Sequence, residues 1–494
     1  MDLGAESCRA LVVGFDGERL ELEEVHRFDN GPVEIPGGLY WNALGIYQGI
    51  LEALERASPA ELVPESVGID SWAVDFGLLD ARGELLSAPR NHRGPHTQGM
   101  VERALQRVSA ERIYGSTGIQ FMRINTLCQI LGMEGSPQLE VADRLLLIPD
   151  LMNYWLTGIA AAEYTSATTT QLYSHTAGEW DRALMGELGI PGDIFPEVVE
   201  PGVVLGPLRP EVSSSTGSPE RLPVISVASH DTASAVAAVP AEGEDFAYIS
   251  SGTWSLVGVE TDEPVLTAEA REANFTNEGG FGGKIRFLKN VMGLWILQEC
   301  RRAWEDSGHG FSYEQIMALA ADARPFAFVF DPDSPELLEP GDMPARLKAL
   351  CERGRQTFPA ETGAIARGVF ESLALRYAAV LDRVSGLSGV EPERLHVVGG
   401  GSRNELLCQM TADATGLTVV AGPVEATAIG NGLVQAHALG YISSLDEMRQ
   451  VVRNSFALQR YEPARDRGPW IEASERVRDI SASTTDERGV QGAR

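Results

Sequence analysis

Residues 1–15 read MDLGAESCRALVVGF, and residues 247–259 read AYISSGTWSLVGV. In each stretch a Gly-x-x-Ser group, beginning at Gly4 or Gly252, lies between two apolar strand candidates. Two β-hairpins with glycine turns are therefore predicted, about half a chain length apart. This weak internal repeat predicts two similar lobes, with a boundary in the polar, turn-rich segment that begins at Pro240.

The segments around these hairpins alternate between strand-like and helical patterns, which favours an α/β fold. Residues 67–76 read as one strand, and residues 365–384 read as a long helix. We predict domains at 1–240 and 241–465. Residues 466–494 are predicted to be a flexible tail, because they are polar and show no hydrophobic periodicity.

Composition excludes several classes of protein. The chain has 494 residues and a formal net charge of −30, which is unfavourable for general binding to nucleic acids or anionic membranes. Its five cysteines have neither zinc-ligand nor redox-motif spacing, so we expect reduced thiols in a cytoplasmic protein. Asp2 and Glu6 stand where a signal peptide carries basic residues. The most apolar run, residues 145–148, is far shorter than the ~20 residues of a membrane span.

Three segments have the composition of phosphate-binding loops. Residues 2–7 combine a carboxylate with turn amides that could bind hydrated Mg²⁺ and a phosphate. Residues 250–253 place small hydroxyl side chains around a glycine, so that a phosphate could approach the backbone. Residues 399–401 are three glycines, followed by Ser402 and Glu405 as a capping box for a helix. Each segment alone is also compatible with an ordinary polar turn, and no P-loop sequence occurs.

The catalytic candidate lies in the sequence SHDTAS, residues 229–234. An apolar strand candidate precedes it and a helix candidate follows, so Asp231 should lie at a strand–helix junction. The helix dipole would keep its carboxylate ionised there, and the carboxylate could accept a proton from a hydroxyl that attacks phosphorus. A plain helix cap is the alternative. A Ser-His-Asp triad is excluded, because three consecutive residues cannot form such a relay.

Eleven motifs then follow in order along residues 2–456. They are HRFDNG from His26, GIDSWAVDF from Gly68, STGIQF from Ser116, NTL from Asn125, YTSATTTQL from Tyr164, ASHDTASAV from Ala228, YISSGTWSL from Tyr248, TNEGG from Thr276, LKNVMGLWILQ from Leu288, HVVGGGSRN from His396 and AGPVEATAIGN from Ala421. With these motifs the sequence strongly resembles the FGGY carbohydrate kinases, which have the actin/hexokinase-like ATPase fold.

The resemblance implies a two-lobe α/β protein of the actin/hexokinase-like (ribonuclease H-like) fold with an interlobe cleft. The N-terminal lobe would bind sugar and carry the first phosphate hairpin, and the C-terminal lobe would bind ATP. The similarity is strongest to members that phosphorylate L-rhamnulose at its 1-hydroxyl with ATP and Mg²⁺. Sugar and ATP would then be the ligands of a cytoplasmic monomer or homodimer, without nucleic-acid or membrane partners.

The resemblance also implies roles for individual residues. Asp231 would be the general base. The sugar contacts would be Ala73, Asp75, His230, Asp231, Thr232 and Asn290. The ATP contacts would be Ala5, Glu6, Ser7, Cys8, Arg9, Thr253, Gln298, Gly400, Gly401 and Asn404. Asp2 would hold Mg²⁺ through water.

Several positions depart from the family pattern. Only Met1 precedes Asp2, so the first strand is expected to be short. Cys8 and Ala73 stand where the family usually has glycine, and a Cys8 side chain could crowd the phosphate. Residues 92–97 lack an Asp and an Arg of the family segment. These departures leave two alternatives, a kinase for another ketose (L-fuculose or L-xylulose) and a non-catalytic sugar- or nucleotide-binding regulator.

Overall fold

The computed structural model describes residues 1–58 and 63–491, with the backbone only for 481–491. The chain divides into two compact units. The first unit contains residues 1–242, 260–288 and 425–456, and the second contains residues 243–259, 289–424 and 457–494. Each unit is thus assembled from separate stretches of chain, whereas the predicted domains are continuous.

The described residues form short strands, most of them in small sheets. In chain order they are β1 (Asp2–Leu3), β2 (Ser7–Phe15), β3 (Leu20–Asp29), β4 (Pro32–Ile35), β5 (Gly38–Trp41), β6 (Val67–Gly68), β7 (Asp70–Ser71), β8 (Phe76–Leu79), β9 (Arg144–Leu147), β10 (Ala162–Glu163), β11 (Tyr173–Ser174), β12 (Glu179–Trp180), β13 (Val198–Val199), β14 (Val203–Pro207), β15 (Pro223–Ser226), β16 (Phe246–Ser251), β17 (Trp254–Thr261), β18 (Thr276–Gly279), β19 (Ile285–Met292), β20 (Arg394–Val398), β21 (Thr418–Ala421) and β22 (Gln459–Tyr461).

Helices alternate with these strands, which gives the mixed α/β character that the sequence predicts. They are α1 (Ala43–Ala57), α2 (Met100–Arg107), α3 (Ala110–Thr117), α4 (Thr126–Leu131), α5 (Pro137–Glu140), α6 (Ile148–Thr157), α7 (Tyr164–Thr168), α8 (Arg182–Leu188), α9 (Pro210–Thr216), α10 (Asp231–Ala237), α11 (Ala268–Glu272), α12 (Trp295–Asp306), α13 (Tyr313–Asp322), α14 (Met343–Arg353), α15 (Thr362–Ser388), α16 (Glu405–Thr415), α17 (Ala426–Ala438), α18 (Leu445–Ser455) and α19 (Gly468–Gln491).

Both predicted hairpins are present. In the first unit β1 pairs antiparallel with β2, and β2 with β3. In the second unit β16 pairs antiparallel with β17. The inner strand of each hairpin also has a parallel neighbour, β7 beside β1 and β20 beside β16. The repeat that the sequence suggests therefore corresponds to a shared local topology.

The predicted single strand over residues 67–76 is wrong. The segment forms β6, β7 and β8, which lie in three different sheets: β6 pairs with β15, β7 with β1 and β8 with β9. β7 lies beside β1, and Ser71 donates its backbone N–H to the carbonyl of Ser229 at 2.9 Å. This break brings the segment that precedes Asp231 alongside β7.

The prediction of a flexible tail from residue 466 is also wrong for its first part. α19 begins at Gly468, and its Trp470 and Ala473 are buried. Trp470 packs edge-on against Phe326, with ring centroids 4.9 Å apart. Tertiary packing of this kind can order a helix whose own hydrophobic pattern is weak.

Candidate active site

Asp231 lies at a strand–helix junction, as the SHDTAS pattern predicts. It is the first residue of α10, with His230 as the N-cap, and β15 ends a few residues before it. Its Oδ1 accepts hydrogen bonds from the backbone N–H of Thr232 at 2.5 Å and from the Thr232 hydroxyl at 3.1 Å. The side chain keeps 34% of its surface exposed. The carboxylate is thus fixed in direction but open to a ligand.

Burial raises the pKa of Asp231 above its ordinary value; His230 opposes this shift and the charge of Asp2 adds to it. The sequence predicts that the helix dipole keeps this carboxylate ionised. The loss of hydration opposes that effect, and an ionised Asp231 stays a prediction. A carboxylate whose pKa is raised binds a proton more readily, which suits a general base.

A buried carboxylate supports the loop that carries Asp231. Glu163 is fully buried, and its Oε2 accepts hydrogen bonds from the backbone N–H of Ser229 at 3.1 Å and from the hydroxyl of Thr165 at 2.6 Å. That hydroxyl in turn accepts the N–H of His230 at 3.1 Å. The backbone on the N-terminal side of Asp231 is therefore fixed by hydrogen bonds to β10 and α7.

A second carboxylate, Asp75, is fully buried and collects three donors on one oxygen. Its Oδ2 lies 2.6 Å from Trp41 Nε1, 2.9 Å from Trp72 Nε1 and 2.7 Å from His92 Nδ1. The two indole rings pack together with centroids 4.2 Å apart. Its Oδ1 has no hydrogen-bond partner among the described residues. The hydrogen bonds of Asp75 Oδ2 are thus all made to other side chains of the protein. One of these side chains, His92, belongs to the segment that departs from the family pattern.

The turn between Trp72 and Asp75 is strained. Val74 has φ of +70°, which is unusual for a β-branched residue. Asp75 donates its N–H to the carbonyl of Ala73 at 3.0 Å, so the turn is a γ-turn of the rare positive-φ kind. The Val74 carbonyl accepts hydrogen bonds from Thr126 Oγ1 at 2.7 Å and Gln129 Nε2 at 3.1 Å. Ala73, predicted as a sugar contact, is partly exposed within this turn.

Acidic residues also cluster near Asp231. Asp2 and Asp70 are opposite each other in the parallel pair of β1 and β7. Burial raises the pKa of Asp70 well above its ordinary value, and the charges of Asp2 and Asp231 add to this effect. Arg9 forms ion pairs with both Asp2 and Glu425. Three carboxylates thus repel one another, and the neutralising cation seen at Asp2 is Arg9.

The first predicted phosphate loop is a tight turn. Ala5 and Glu6 are exposed, Ser7 and Arg9 are half-buried, and Cys8 is completely buried within β2. Cys8 has no positive φ, and burial raises its pKa to about 12. The expectation that its side chain would crowd a phosphate is therefore wrong, because the thiol faces the core. None of the five cysteines, all of which lie in the described residues, forms a disulfide, and all are buried.

The second unit brings together most of the other predicted nucleotide contacts. The turn between β16 and β17 contains Thr253, whose carbonyl accepts the N–H of Trp295 at the start of α12 at 3.2 Å. Gln298 lies on α12, and its Oε1 is buried without a hydrogen-bond partner within residues 1–58 and 63–491. A Cβ on Gly401 would lie 2.0 Å from Ser251 Oγ, so the glycine is required for this approach. Gly400 is exposed, with open space above its backbone.

Two predicted contacts have a different environment. Asn404, rather than Ser402, caps α16: its Oδ1 accepts the N–H of Leu407 at 2.9 Å, while its Nδ2 donates to Tyr313 at 3.0 Å. Asn404 is completely buried, so both its amide oxygen and its amide nitrogen form hydrogen bonds within the protein. The predicted capping box at Ser402 is wrong, because residues 400–403 form a 3₁₀ turn. Asn290 lies half-buried on β19, in the second unit.

One known protein family matches both the N-terminal and the C-terminal part of the chain. The N-terminal domain of the FGGY family of carbohydrate kinases matches residues 1–238, and the C-terminal domain of that family matches residues 247–439. The chain belongs to the FGGY family of carbohydrate kinases.

Curated relatives of this FGGY kinase span nearly its full length. A rhamnulokinase from Bacteroides thetaiotaomicron is 44% identical over 472 residues, which is 95% of this chain and 96% of the relative. A rhamnulokinase from Oceanobacillus iheyensis is 42% identical, covering 93% and 97% of the two chains. One from Bacillus subtilis is 37% identical, covering 94% of each.

Solved structures agree on the fold. A ligand-bound xylulose kinase from Lactobacillus acidophilus superposes with a TM-score of 0.80 at 17% identity, covering 99% of this chain and 97% of the other. A glycerol kinase from Plasmodium falciparum with ADP gives a TM-score of 0.75 at 16% identity, covering 96% and 97%. The predicted two-domain actin/hexokinase-like fold class is confirmed for this FGGY kinase.

Some residues of the site were not singled out from the sequence. Glu163 and Asp70 lie in quoted motifs or directly beside them, but their functional signal is complete burial, which only the fold reveals. Arg286, just before LKNVMGL, is likewise completely buried and contacts His230. An arginine in an otherwise apolar strand, IRFL, is the one sequence signal that could have drawn attention to it.

Two absences concern the part of the chain that the structure describes. No group of three or more His, Cys, Asp or Glu side chains there is arranged to hold a metal ion. Among the same residues, no helix is long and apolar enough to cross a membrane.

Proposed function

We propose that this FGGY kinase transfers the γ-phosphoryl group of ATP to the 1-hydroxyl of L-rhamnulose, giving L-rhamnulose 1-phosphate and ADP. Relatives named rhamnulokinase, 37–44% identical over nearly the whole chain, support this substrate. The observation that carries the chemistry is Asp231, a partly exposed carboxylate of raised pKa at the start of a helix. The relatives favour neither a kinase for another ketose nor a non-catalytic regulator.

Asp231 acts as the general base. The oxygen of the sugar 1-hydroxyl attacks the γ-phosphorus, its proton passes to the Asp231 carboxylate, and the bond from that phosphorus to the β,γ-bridging oxygen of ADP breaks. Thr232 fixes the carboxylate through two hydrogen bonds to Oδ1, which leaves Oδ2 for the hydroxyl. Positioning of this kind supplies much of the rate in phosphoryl transfer.

His230 and Thr232, which flank the base, contact the sugar, and so do Ala73 and Asn290. Asp75 supports the sugar site chiefly by holding Trp41 and Trp72 in place, because its Oδ2 already accepts hydrogen bonds from three donors. A direct hydrogen bond from the sugar to Asp75 stays a prediction, and its Oδ1 is the oxygen available for it.

ATP binds through backbone amides rather than a cationic surface, as the net charge of −30 requires. Ala5–Arg9 and Thr253 contact the phosphates. The open backbone at Gly400 accepts the flat nucleoside, and the Gln298 Oε1, which has no partner among the described residues, is an acceptor for an amino or hydroxyl group. Gly401 packs closely against Ser251, and its contact with ATP stays a prediction. Asn404 supports this loop as a helix cap, and a direct contact with ATP stays a prediction.

Mg²⁺ fits the residues around Asp2. Asp70 Oδ1, across the strand pair, is a buried oxygen without a hydrogen-bond partner in the described chain. Carboxylate oxygens are the donors that Mg²⁺ prefers, and neighbouring carboxylates of like charge favour a cation. Asp2 would hold the ion through water, with Asp70 behind it. When bound, Mg²⁺ supplies charge neutralisation for the ATP phosphates.

The test is direct quantification of ADP with Mg²⁺, ATP and one sugar at a time: L-rhamnulose, L-fuculose, L-xylulose, D-xylulose or glycerol, with a sugar-free control. We expect the highest kcat/KM with L-rhamnulose, and phosphorus NMR should show a product phosphorylated at the primary hydroxyl. A higher kcat/KM with another ketose would refute the substrate and retain the chemistry. No sugar-dependent ADP release would contradict the kinase proposal. The oligomeric state, monomer or homodimer, stays a prediction that sedimentation of the same sample measures.

A further inference from the structure

Arg286 and Glu278 form a buried ion pair next to the candidate base. The two residues are opposite each other in the antiparallel pair of β18 and β19. Arg286 Nη2 lies 3.2 Å from Glu278 Oε2, and Arg286 Nε donates to the carbonyl of Gly279 at 2.8 Å. The Arg286 side chain has no exposed surface, and Glu278 keeps 6%. A charged pair in such a position must be held in one geometry, because neither group can rotate into water.

The same guanidinium contacts His230. Arg286 Nη2 lies 3.0 Å from His230 Nδ1. A guanidinium only donates hydrogen bonds, and it stays charged in proteins. Nδ1 must therefore present its lone pair to Arg286. In the neutral imidazole the proton then sits on Nε2.

Glu278 could instead favour the other tautomer. Its Oε2 lies 3.4 Å from the same Nδ1 and could accept a hydrogen bond from an Nδ1–H group. Arg286 is closer, however, and an Nδ1–H group would then face an Arg286 N–H head-on at 3.0 Å. The Glu278 carboxylate already neutralises Arg286, so we assign the Arg286 N–H to the Nδ1 lone pair and Glu278 to the ion pair with Arg286.

We propose that Arg286, held by Glu278, is a positioning residue that keeps His230 in its Nε2–H tautomer, with that proton available to an oxygen of the sugar. His230 Nε2 lies 3.5 Å from Oδ1 of Asp231, the carboxylate that receives the proton on its other oxygen. With Nε2 protonated, His230 donates and only Asp231 can accept. The opposite tautomer would set a second lone pair beside Asp231, which would repel the carboxylate and compete for the hydroxyl proton. The sugar part of this inference rests on the proposed function.

Histidine NMR tests the tautomer without any turnover. The full-length protein is labelled with ¹⁵N-histidine, and the resonances of His230 are identified among the eight histidines by their loss in His230→Gln. At about pH 8, well above the ordinary histidine pKa of about 6.5, we expect a pyridine-type shift for Nδ1 and a pyrrole-type shift for Nε2. In Arg286→Met we expect mixed or reversed tautomer signals. A wild-type Nδ1–H tautomer would overturn the inference, and so would an unchanged pattern in Arg286→Met.

Kinetics test the consequence for the sugar. Arg286→Met should raise the KM for the ketose and lower kcat/KM by about 10- to 100-fold, as expected for the loss of a positioned donor, while the KM for ATP changes less than about twofold. Arg286→Lys should recover part of the loss, because it retains the charge but not the planar geometry.

The matched control is Arg449→Met. Arg449 forms an ion pair with Glu260 in the same unit, and both side chains are more than nine-tenths buried. It has no contact with His230, so its loss should change stability but neither the tautomer nor the sugar KM. Equal effects of the two substitutions on the sugar KM would overturn the positioning role. If Arg286→Met does not fold, the wild-type spectrum and the Glu278→Gln/Arg286→Met double variant, which buries no unpaired charge, decide the question.

The two proposals can fail separately. If no ketose is phosphorylated but His230 shows the Nε2–H tautomer in wild type and loses it in Arg286→Met, the proposed function fails and the positioning of His230 stands. If L-rhamnulose is phosphorylated but His230 carries its proton on Nδ1, the inference fails and the proposed function stands.

Discussion

Asp231 and Asp75 are two aspartates in the same unit with opposite environments. Asp75 is completely buried, and one of its oxygens receives three N–H donors from aromatic side chains. Asp231 keeps a third of its surface exposed, and the hydrogen bonds that it accepts from described residues come from the next residue, Thr232. In sequence both are an Asp beside a strand, in the motifs WAVDF and SHDTAS.

This difference indicates which of the two carboxylates can act as a general base. A carboxylate that accepts hydrogen bonds from three buried donors cannot move away from them, because each donor would then have neither the carboxylate nor water as an acceptor. Asp231 does not hold three buried donors in this way, and burial raises its pKa so that it takes up a proton more readily. We therefore expect substitution of Asp75 to act mainly on the fold and substitution of Asp231 mainly on turnover.

The largest expected effect is on turnover. Asp231→Asn should lower kcat by about 10²–10⁴-fold, the usual contribution of a general base, while ATP binding measured by calorimetry is retained. Asp181→Asn is the control, because Asp181 also lies at the start of a helix, as the N-cap of α8, and pairs with Arg112 away from the candidate base. Turnover of Asp231→Asn within a few-fold of wild type would show that another group accepts the proton.

The reverse effect is expected on stability. Asp75→Ala leaves the donors of Trp41, Trp72 and His92 without their acceptor, which should cost about 3 kcal/mol or more, or about 3–5 °C in Tm. Asp231→Ala removes a partly buried carboxylate and should change Tm little or raise it. Scanning calorimetry of the two alanine variants decides this. A similar loss of Tm in both would mean that the donor count at Asp75 does not distinguish the two sites.

Local patterns in the sequence were sufficient to predict Asp231 but not its surroundings. An apolar run, four polar residues (229–232) and a second run of mainly small apolar residues specify a strand–helix junction without reference to the rest of the chain. The contacts of Asp75, by contrast, come from residues 41, 72 and 92, whose approach depends on packing. The γ-turn at Val74 was also missed, since a β-branched residue predicts continued strand.

The same distinction explains the other results. The two hairpins carry their turn signals within a few residues, so they and the fold class were predictable. The pairing of Arg286 with Glu278 depends on the register of β18 and β19, and the contact to His230 depends on tertiary packing. The sequence does not identify Asn404 as the helix cap, because several neighbouring polar residues could cap the helix equally well. It also does not predict the helix from Gly468, because that segment is as polar as a flexible tail. The competing choices there are separated only by tertiary contacts.

A third carboxylate extends the comparison to pH. Burial raises the pKa of Glu163 to about 7. The folded protein then binds more protons than the unfolded chain between about pH 4 and 7, so this group contributes stability that is complete at low pH and is lost as pH rises through 7. The loss is up to about 3 kcal/mol. Because Gln resembles the protonated form, Glu163→Gln should flatten this decline in the free energy of unfolding.

The measurement is the difference between wild type and Glu163→Gln in chemical unfolding at several pH values, since other carboxylates titrate in both proteins. Glu187→Gln, at an exposed carboxylate, serves as the control. A constant difference from pH 5 to 8 would mean that Glu163 is ionised throughout, stabilised by its four hydrogen-bond donors.

The smallest expected effect concerns the strain beside Asp75. Val74 and Val67 are equally buried, at 8% and 6% exposure, but only Val74 has a positive φ. Replacement by Gly removes the same side chain at both positions, yet at Val74 it also releases about 1–3 kcal/mol of backbone strain. Val74→Gly should therefore destabilise the protein less than Val67→Gly by about that amount in chemical unfolding. Equal losses would mean that the turn is relaxed. A smaller loss at Val74, together with a raised KM for the ketose, would show that the strain is retained because the stiff turn fixes Ala73 and Asp75 in place.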